Sequence, residues 1–433
     1  MENFIKLIRV KIKNIKNVKC GIIDFKSHIT GIYGQNGSGK TALVDSMNIL
    51  KSYLYGRELN SFYELINVEA KTCNLNFIFE VKIAGRKYKI SLDITLKKVK
   101  KIIENKEVNG VDIVKESIKY SELNLKHKMT KKVLIESAKK EVFRNKESFR
   151  KLFLNENEKN NLMVIKRLAE KSSVSFLFTR ELQEVFIRFR EEYQEVIDIL
   201  LSLKYFGESN LIVIRNENIG IINVEKKEKF LITAEKIVID ERLCNKIHMI
   251  IDLLNIVLPS IIPNMKLELF EKNREFVGNN KINIVYQLIS IKDGRRIPFK
   301  NESEGIKKIT SILISIVGIY YNKESCLVID DLDSKIFEHL LGELLSILNT
   351  EIKGQLIFTS YNLRILEKLD KASFIFTTTN ENNKYFRLKK LKENSNLRDM
   401  YIREITMQEQ KELLCNEINI GDIEFSLYKA SLL

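Results

Sequence analysis

Tryptophan is absent from these 433 residues, and proline occurs only three times. With seventeen glycines besides, there is little material for flexible linkers. Five cysteines (Cys20, Cys73, Cys244, Cys326 and Cys415) are scattered, odd in number and without a C-x-x-C pair. That excludes a disulfide framework and predicts free thiols in a reducing cytoplasm. Four scattered histidines give no zinc-ligand spacing. No stretch approaches eighteen uncharged apolar residues, so no membrane span is expected. The opening residues, MENFIKLIRVKIKN, break their apolar positions with lysines, and no secretory signal is expected.

What is plentiful is apolar and basic. Hydrophobic residues make up 44% and charged residues 30%, which suits two or three globular domains or one large domain with an insertion. The net charge of +15 is uneven: residues 97–151 hold 17 Lys and Arg against 8 Asp and Glu. KKVKK (Lys97–Lys101) and KHKMTKK (Lys126–Lys132) are the densest parts. Such a surface attracts nucleic-acid phosphate or an acidic protein, or is a solvated lysine-rich face.

The most informative stretch is Gly34-Gln35-Asn36-Gly37-Ser38-Gly39-Lys40-Thr41, with the spacing G-x-x-x-x-G-K-[ST] of a phosphate-binding P-loop. Its glycines let backbone N–H groups converge on phosphate oxygens, and the following helix dipole favours the same charge. Lys40 reaches the β- and γ-phosphates, and the Thr41 hydroxyl can ligate Mg²⁺. The context fits: Ser27–Tyr33 reads as an apolar strand, and Ala42, Leu43, Met47 and Leu50 recur at helical spacing.

Further strands are expected where Ile8, Val10 and Ile12 alternate with Arg9, Lys11 and Lys13, and over Gly21–Phe25. Asn74–Ile83 and Lys87–Ile94 read as a hairpin around Ala84-Gly85-Arg86. From about Lys97 to Lys204 the pattern reads as helical and charged, with one long helix over Thr179–Leu203. Strands at Leu211–Arg215 and Gly220–Val224 follow, then a helix over Cys244–Leu258 closed by Pro259 and Pro263. Strand and helix alternation returns from Ile282 to about Arg387.

Cys326-Leu327-Val328-Ile329-Asp330-Asp331 is a buried-strand pattern ending in two carboxylates, placed where ligands of open α/β sheets bind. Asp330 there can hold the Mg²⁺ shell, and Asp331 can orient or deprotonate the attacking water. Ser303, 27 residues earlier in Glu302-Ser303-Glu304-Gly305, precedes the apolar helix Ile306–Tyr320. A hydroxyl and a glycine at a helix N-terminus form an anion site, or Ser303 is an ordinary N-cap. Gln355–Ser360 is another buried strand, followed by Tyr361, Asn362 and Leu363.

Together these segments resemble the ATP-binding-cassette ATPase family, in its soluble branch of structural-maintenance, RecF-like and overcoming-lysogenization-like members. GQNGSGKT resembles Walker A, the ESEG of Glu302–Gly305 the signature motif, and LVIDD Walker B. Asp333-Ser334 resembles the D-loop and FTSYN the switch loop. The resemblance implies an α/β P-loop NTPase of ABC-ATPase type, split by a largely helical insertion. The ATPase parts would be residues 1–104 and 282–390, the basic insertion 105–281, and a helical segment 391–433.

It also implies ATP and Mg²⁺ as cofactors and a sandwiched dimer: ATP on Lys40 and Thr41 of one copy, covered by Ser303 and Gly305 of the other. Three departures stand out. Asp331 occupies the place of the usual Glu, Tyr361 that of the switch His, and no Gln occurs between Thr41 and Gln183. Asn60, Asn74 or Asn76 are candidates to replace the missing Q-loop glutamine. Slow hydrolysis is expected, with the ATP-bound state carrying the signal. The family likeness suggests a cytoplasmic anti-phage ATPase that controls a separate nuclease or toxin encoded nearby. Alternatives are a RecF-like or structural-maintenance-like DNA repair clamp, and a nucleotide-gated assembly scaffold without a DNA role.

Overall fold

The computed structural model describes residues 4–103, 106–122, 132–139, 141–218, 220–223, 229–276, 282–388, 396–407, 414 and 419–431. The chain begins with β1 (Phe4–Ile15), β2 (Val18–Asp24), β3 (Ile29–Tyr33), α1 (Lys40–Tyr55) and β4 (Thr72–Ile83). β5 (Arg86–Ile103), β6 (Lys106–Glu122) and β7 (Lys132–Ala138) follow. Four helices come next: α2 (Arg150–Leu154), α3 (Glu156–Lys171), α4 (Arg180–Arg188) and α5 (Arg190–Tyr205). Then come β8 (Leu211–Ile214), β9 (Ile221–Asn223), β10 (Lys229–Leu231), β11 (Ile237–Asp240) and α6 (Cys244–Ile261). β12 (Met265–Phe276), β13 (Ile282–Lys292), β14 (Arg295–Pro298) and α7 (Glu304–Tyr321) lead into β15 (Cys326–Ile329) and α8 (Glu338–Glu351). The chain closes with β16 (Gln355–Thr359), α9 (Ile365–Lys368), β17 (Phe374–Thr377), β18 (Tyr385–Phe386), α10 (Leu397–Met407) and α11 (Ile420–Ala430).

The central sheet has the order β18-β17-β3-β16-β15-β8 and is parallel except at β18. Every residue of β3, β15, β16 and β17 is buried. Short, nearly all-apolar runs suit such strands because helices cover both faces. Alternate side chains feed two cores. Cys326 and Val328 pack with Ala42, Leu43 and Met47 of α1, whereas Leu327 and Ile329 pack with Ile309, Ile312 and Ile316 of α7.

A second sheet, β2-β1-β4-β5-β6-β7, is antiparallel. In β1, Val10 and Ile12 are buried while Arg9, Lys11 and Lys13 are exposed, but a register shift between Leu7 and Arg9 leaves Ile8 half-buried. Ala84 and Gly85, both at positive φ (48° and 85°), make the two-residue turn between β4 and β5. Gln355 ties the two sheets together: its Oε1 accepts from Leu7 N–H (3.0 Å) and its Nε2 donates to Leu7 O (2.9 Å).

The expected helical pattern from Lys97 fails over its first part, where β5 continues to Ile103 and β6 and β7 follow. The segment 105–281 is therefore mixed rather than mainly helical. It starts within the β5–β6 hairpin, paired from Tyr88–Glu122 to Ile103–Lys106, and it supplies β8, the outer strand beside β15. Register shifts at Thr95/Leu96 and Ile118/Lys119 blur the period-2 signal there.

The expected helix Thr179–Leu203 is two helices, broken at Phe189 (φ −109°, ψ 37°), with Tyr193 also non-helical. At the break Phe149, Phe186 and Tyr193 gather with ring centroids 5.5 to 5.8 Å apart. Pro259 does not end α6; the helix runs through it to Ile261, and Ile262 N–H closes the last turn on Leu258 O (2.8 Å). By length and composition alone, Glu241–Ile261 is apolar enough to cross a membrane, and its Ile247, Ile251, Leu254 and Leu258 are buried in the second core. Cys20, Cys73, Cys244 and Cys326 are free thiols. Cys415, Val224 and Lys126–Lys131 lie outside the described residues, as do 408–413 of the expected C-terminal helices.

Candidate functional site

The loop between β3 and α1 is held in a conformation that glycine makes possible. Gly34, Gly37 and Gly39 have φ of 154°, 70° and 102°. A Cβ on Gly34 would meet Thr377 Oγ1 at 1.7 Å, so no side chain fits there. Thr377 Oγ1 lies 3.2 Å from Tyr33 O and 2.5 Å from Ser38 Oγ. Tyr385 OH donates to Gly39 O (2.7 Å), and Asn17 Nδ2 donates to Gly37 O. The loop is thus braced by the β17–β18 hairpin on one side and the β1–β2 turn on the other.

A cavity of about 400 Å³ opens beside it, lined by Lys16, Asn17, Gly37, Ser38, Gly39, Lys40, Thr41, Ala42 and Tyr361. The Lys40 ammonium donates to Gly34 O (2.7 Å) and Gln35 O (2.9 Å), and sits 3.7 Å from the centroid of the Tyr361 ring. Burial lowers its pKa to about 8, opposed by Asp331, Asp330 and Asp333. The ammonium occupies the loop's own carbonyls, the contacts that phosphate oxygens would replace. One turn further along α1, buried Asp45 pairs with Lys16 (2.5 Å) and Arg215 (3.5 Å).

The carboxylates come from the end of β15. Burial raises the Asp330 pKa, against hydrogen bonds from Thr359 and Thr41; Thr359 Oγ1 donates to Asp330 Oδ1 at 2.6 Å. The Thr41 hydroxyl and the Asp330 carboxylate are therefore already together, an oxygen pair suited to Mg²⁺. Asp331 has a left-handed backbone (φ 47°) fixed from three sides. Its N–H donates to Thr359 Oγ1 (2.7 Å), its carbonyl accepts from Lys308 (2.5 Å), and its Oδ2 accepts from Asn216 Nδ2 (2.9 Å). Tyr361 N–H donates to Asp333 Oδ2 (3.0 Å). Burial and then Asp331 push the Tyr361 phenol up to about 12, so it stays protonated and can donate but not accept a proton.

The structure thus brings together the loop 34–41, Asp330, Asp331 and Tyr361. Ser303 and Gly305 do not line the cavity. Ser303 caps α7, its Oγ accepting from Ile306 N–H (3.3 Å), and is exposed. Gly305 packs against the 331–335 turn so closely that a Cβ would lie 2.4 Å from Lys335 O.

None of the three asparagines expected to replace the Q-loop glutamine is at the cavity. Asn60 accepts from Val111 N–H and Ser173 Oγ, while Asn74 and Asn76 bond to the neighbouring strand β5. The amides that do stand close are Asn17, in the cavity lining, and Asn216, just past β8, which donates to Asp331. The signal for Asn216 was available: LIVI (Leu211–Ile214) is a four-residue apolar run ending in polar residues, the same pattern as LVIDD.

The basic run Lys97–Lys101 lies on β5, largely committed internally. Lys98 donates to Asn67 O (3.3 Å), Lys100 pairs with Glu107 (2.8 Å), and Lys101 with Asp112 (3.6 Å).

The family model of the RecF/RecN/SMC N terminal domain matches residues 6–384. No curated protein matches the chain. Among solved structures, the chain is similar to the Smc head domain with an extended coiled coil bound to the C-terminal domain of ScpA, from Pyrococcus furiosus. That match has 12% identity over 94% of this chain and 100% of the other, with TM-score 0.44. It is also similar to the SMC head domain from Thermotoga maritima (12% identity, 89% of this chain, 100% of the other, TM-score 0.38). A third is the recombination mediator protein RecF with a bound ATP analogue (13% identity, 82% of this chain, 92% of the other, TM-score 0.38).

Proposed function

The chain belongs to the RecF/RecN/SMC N terminal domain family, an ATPase family, and on that footing we propose an ATP-driven switch completed by two copies of the chain. In this reading each copy binds and slowly hydrolyses ATP, and the closed pair controls a separate nuclease or toxin in bacterial anti-phage defence. One observation supports the pairing. Residues 37–41 of the loop and Tyr361 line one cavity, and Asp330 is tied to it by the Thr41 hydroxyl with Asp331 next in sequence, while Ser303 and Gly305 are not in its lining and stand at the exposed start of α7. A helix N-terminus there is free to meet the nucleotide of a partner.

The residues divide the chemistry among them. Lys40, released from Gly34 and Gln35, and the N–H groups of residues 35–41 hold the phosphates. Thr41 and Asp330 would hold Mg²⁺, which supplies charge to the phosphate oxygens. Asp331, steadied by Asn216, orients the attacking water and accepts its proton. Tyr361 donates to the γ-phosphate. Asp331 is one methylene shorter than the family's Glu, and a protonated phenol replaces an imidazole, so turnover is slow and the ATP-bound pair is the signal.

The test is the size of the purified protein with and without ATP and Mg²⁺. The wild type pairs with ATP, Lys40→Ala does not, and Asp331→Asn stays paired. Absence of an ATP-dependent pair overturns the reading. Basal turnover on the order of ~10 s⁻¹, typical of an enzyme built for flux, contradicts a slow switch. The defence assignment requires growth arrest on phage infection that is lost with Lys40→Ala, and an effector that co-purifies.

The net charge of +15 favours a second reading, a clamp that closes on duplex DNA. ATP-stimulated DNA binding that weakens steeply with salt would establish it in place of effector control.

A further inference from the structure

Lys308, at 1% exposure, is among the largest fully buried side chains of the molecule. It stands on α7 five residues after Ser303. Its ammonium donates to Asp331 O (2.5 Å) and to Ser334 Oγ (3.0 Å). Burying a lysine is unfavourable unless it is paired, so a lysine retained here is more costly than the methionine or leucine that would fill the space. Burial pulls its pKa down to about 8, while Asp333, Asp331 and Asp330 counteract that pull. Two further contacts fasten the same two segments. Gly305 sits against Lys335 O, and Glu304 pairs with Lys335 at 3.4 Å. The first two turns of α7 and the 331–335 turn are therefore in direct contact, with the Lys308 ammonium as the buried link.

We infer that Lys308 is a positioning residue that couples the two nucleotide sites of a pair. This rests on the pairing proposed above. The Ser303 end of α7 would touch the partner's nucleotide, whereas Asp331 serves the nucleotide on the chain's own loop. Lys308 joins the two at Asp331 itself, whereas the Glu304–Lys335 pair reaches only the far end of the turn. It grips the carbonyl of the one residue whose left-handed backbone aims the water-activating carboxylate. When α7 is drawn toward the partner's γ-phosphate, Lys308 carries the shift to Asp331. A chain then hydrolyses its own ATP at full rate only while its Ser303 end is engaged on the partner's ATP. Coupling between sites is a free energy carried by a physical connection, and this is such a connection.

The experiment uses two full copies joined in tandem, so that pairing does not depend on nucleotide. Turnover per competent loop is compared with the second copy wild type and with the second copy carrying Lys40→Ala, which leaves the first copy's Ser303 end unengaged. The wild-type ratio is expected to be about fivefold or more, the lower end of ordinary coupling. Lys308→Met in the first copy should bring the ratio to about one, and Lys308→Arg, which keeps charge and reach, should restore most of it. A ratio that survives Lys308→Met, or that is one in the wild type, overturns the inference. Should Lys308→Met not fold, Ser334→Ala removes one partner of the ammonium and must lower the ratio; an unchanged ratio overturns the inference equally. Ser303→Arg in the Lys40→Ala copy separates this from the pairing itself. If turnover on the wild-type loop survives that change, the shared site is wrong and the relay falls with it. If turnover is lost but the ratio ignores Lys308, only the relay is wrong.

Discussion

The side-chain amide of Asn216 donates to Asp331 Oδ2 at 2.9 Å, joining residues 115 positions apart. β8 and β15 are parallel neighbours in register, Ile214 beside Ile329, so both residues leave the sheet at the same edge. In the proposed mechanism, a carboxylate oriented by this amide would hold the attacking water in one direction. Asn216→Ala should therefore lower kcat roughly 10- to 100-fold, the range of a hydrogen bond to a charged group, with ATP affinity little changed. Asn216→Asp should be worse, because it sets a second negative charge against Asp331. Steady-state turnover beside direct nucleotide binding checks both. An Asn216→Ala variant with wild-type kcat would remove the residue from the mechanism.

Much of this site can be read in the sequence because its parts are local. The P-loop spacing, the apolar run before Asp330 and the capping serine before α7 each stand within a few residues, and each lies where expected. What escaped was non-local. Asn216, Thr377 and Tyr385 act on residues 115 to 346 positions away. The sheet β5–β7 escaped because a register shift interrupts its alternation and lysines crowd its outer face, so a helical charge pattern looked as good. Asn216 likewise stands just past β8, far from Thr41 in sequence, and only the pairing of β8 with β15 brings its amide to Asp331.

The slow turnover proposed above has a direct test in restoring the family's residues. Asp331→Glu extends the carboxylate by one methylene toward the water, and Tyr361→His replaces a phenol held at about 12 by an imidazole able to accept a proton near neutral pH. Each should raise kcat, together by about tenfold or more, since a misplacement of about 1 Å can cost on the order of a hundredfold. Single-turnover hydrolysis separates this from product release. If neither variant, alone or combined, exceeds the wild-type rate, then the length of Asp331 and the phenol are not what limits it.

Gly305 is required for contact rather than for backbone freedom. A Cβ would stand 2.4 Å from Lys335 O, a carbonyl in a turn that itself carries positive φ at Asp331 and Lys335. Gly305→Ala must therefore push α7 away from the 331–335 turn, at a cost of about 1–3 kcal/mol for an overpacked contact. Lower thermal stability and weaker hydrolysis should appear together, because the same turn positions Asp331. Unchanged stability would mean that the turn is free to yield.

The basic run on β5 makes a different kind of prediction. Reversing Lys97, Lys98, Lys100 and Lys101 together looks like a clean test of nucleic-acid binding, but Lys98 and Lys101 are tied into the fold and Lys100 is in a surface ion pair. Lys98 holds Asn67 O, Lys100 faces Glu107, and Lys101 lies by Asp112, so carboxylates there would face carbonyls and other carboxylates. Lys98→Glu, Lys100→Glu and Lys101→Glu combined should lower stability, and any loss of DNA binding would follow from that. Lys97 is exposed, with no ion-pair partner among the described residues. Lys97→Glu should leave stability within about 0.5 kcal/mol, the usual range for a surface change away from special features. If this face contacts phosphate, the same variant should weaken DNA binding for all sequences alike and reduce the salt slope by about one. An unchanged slope, measured on a protein that still unfolds at the wild-type temperature, would remove Lys97 from any nucleic-acid interface.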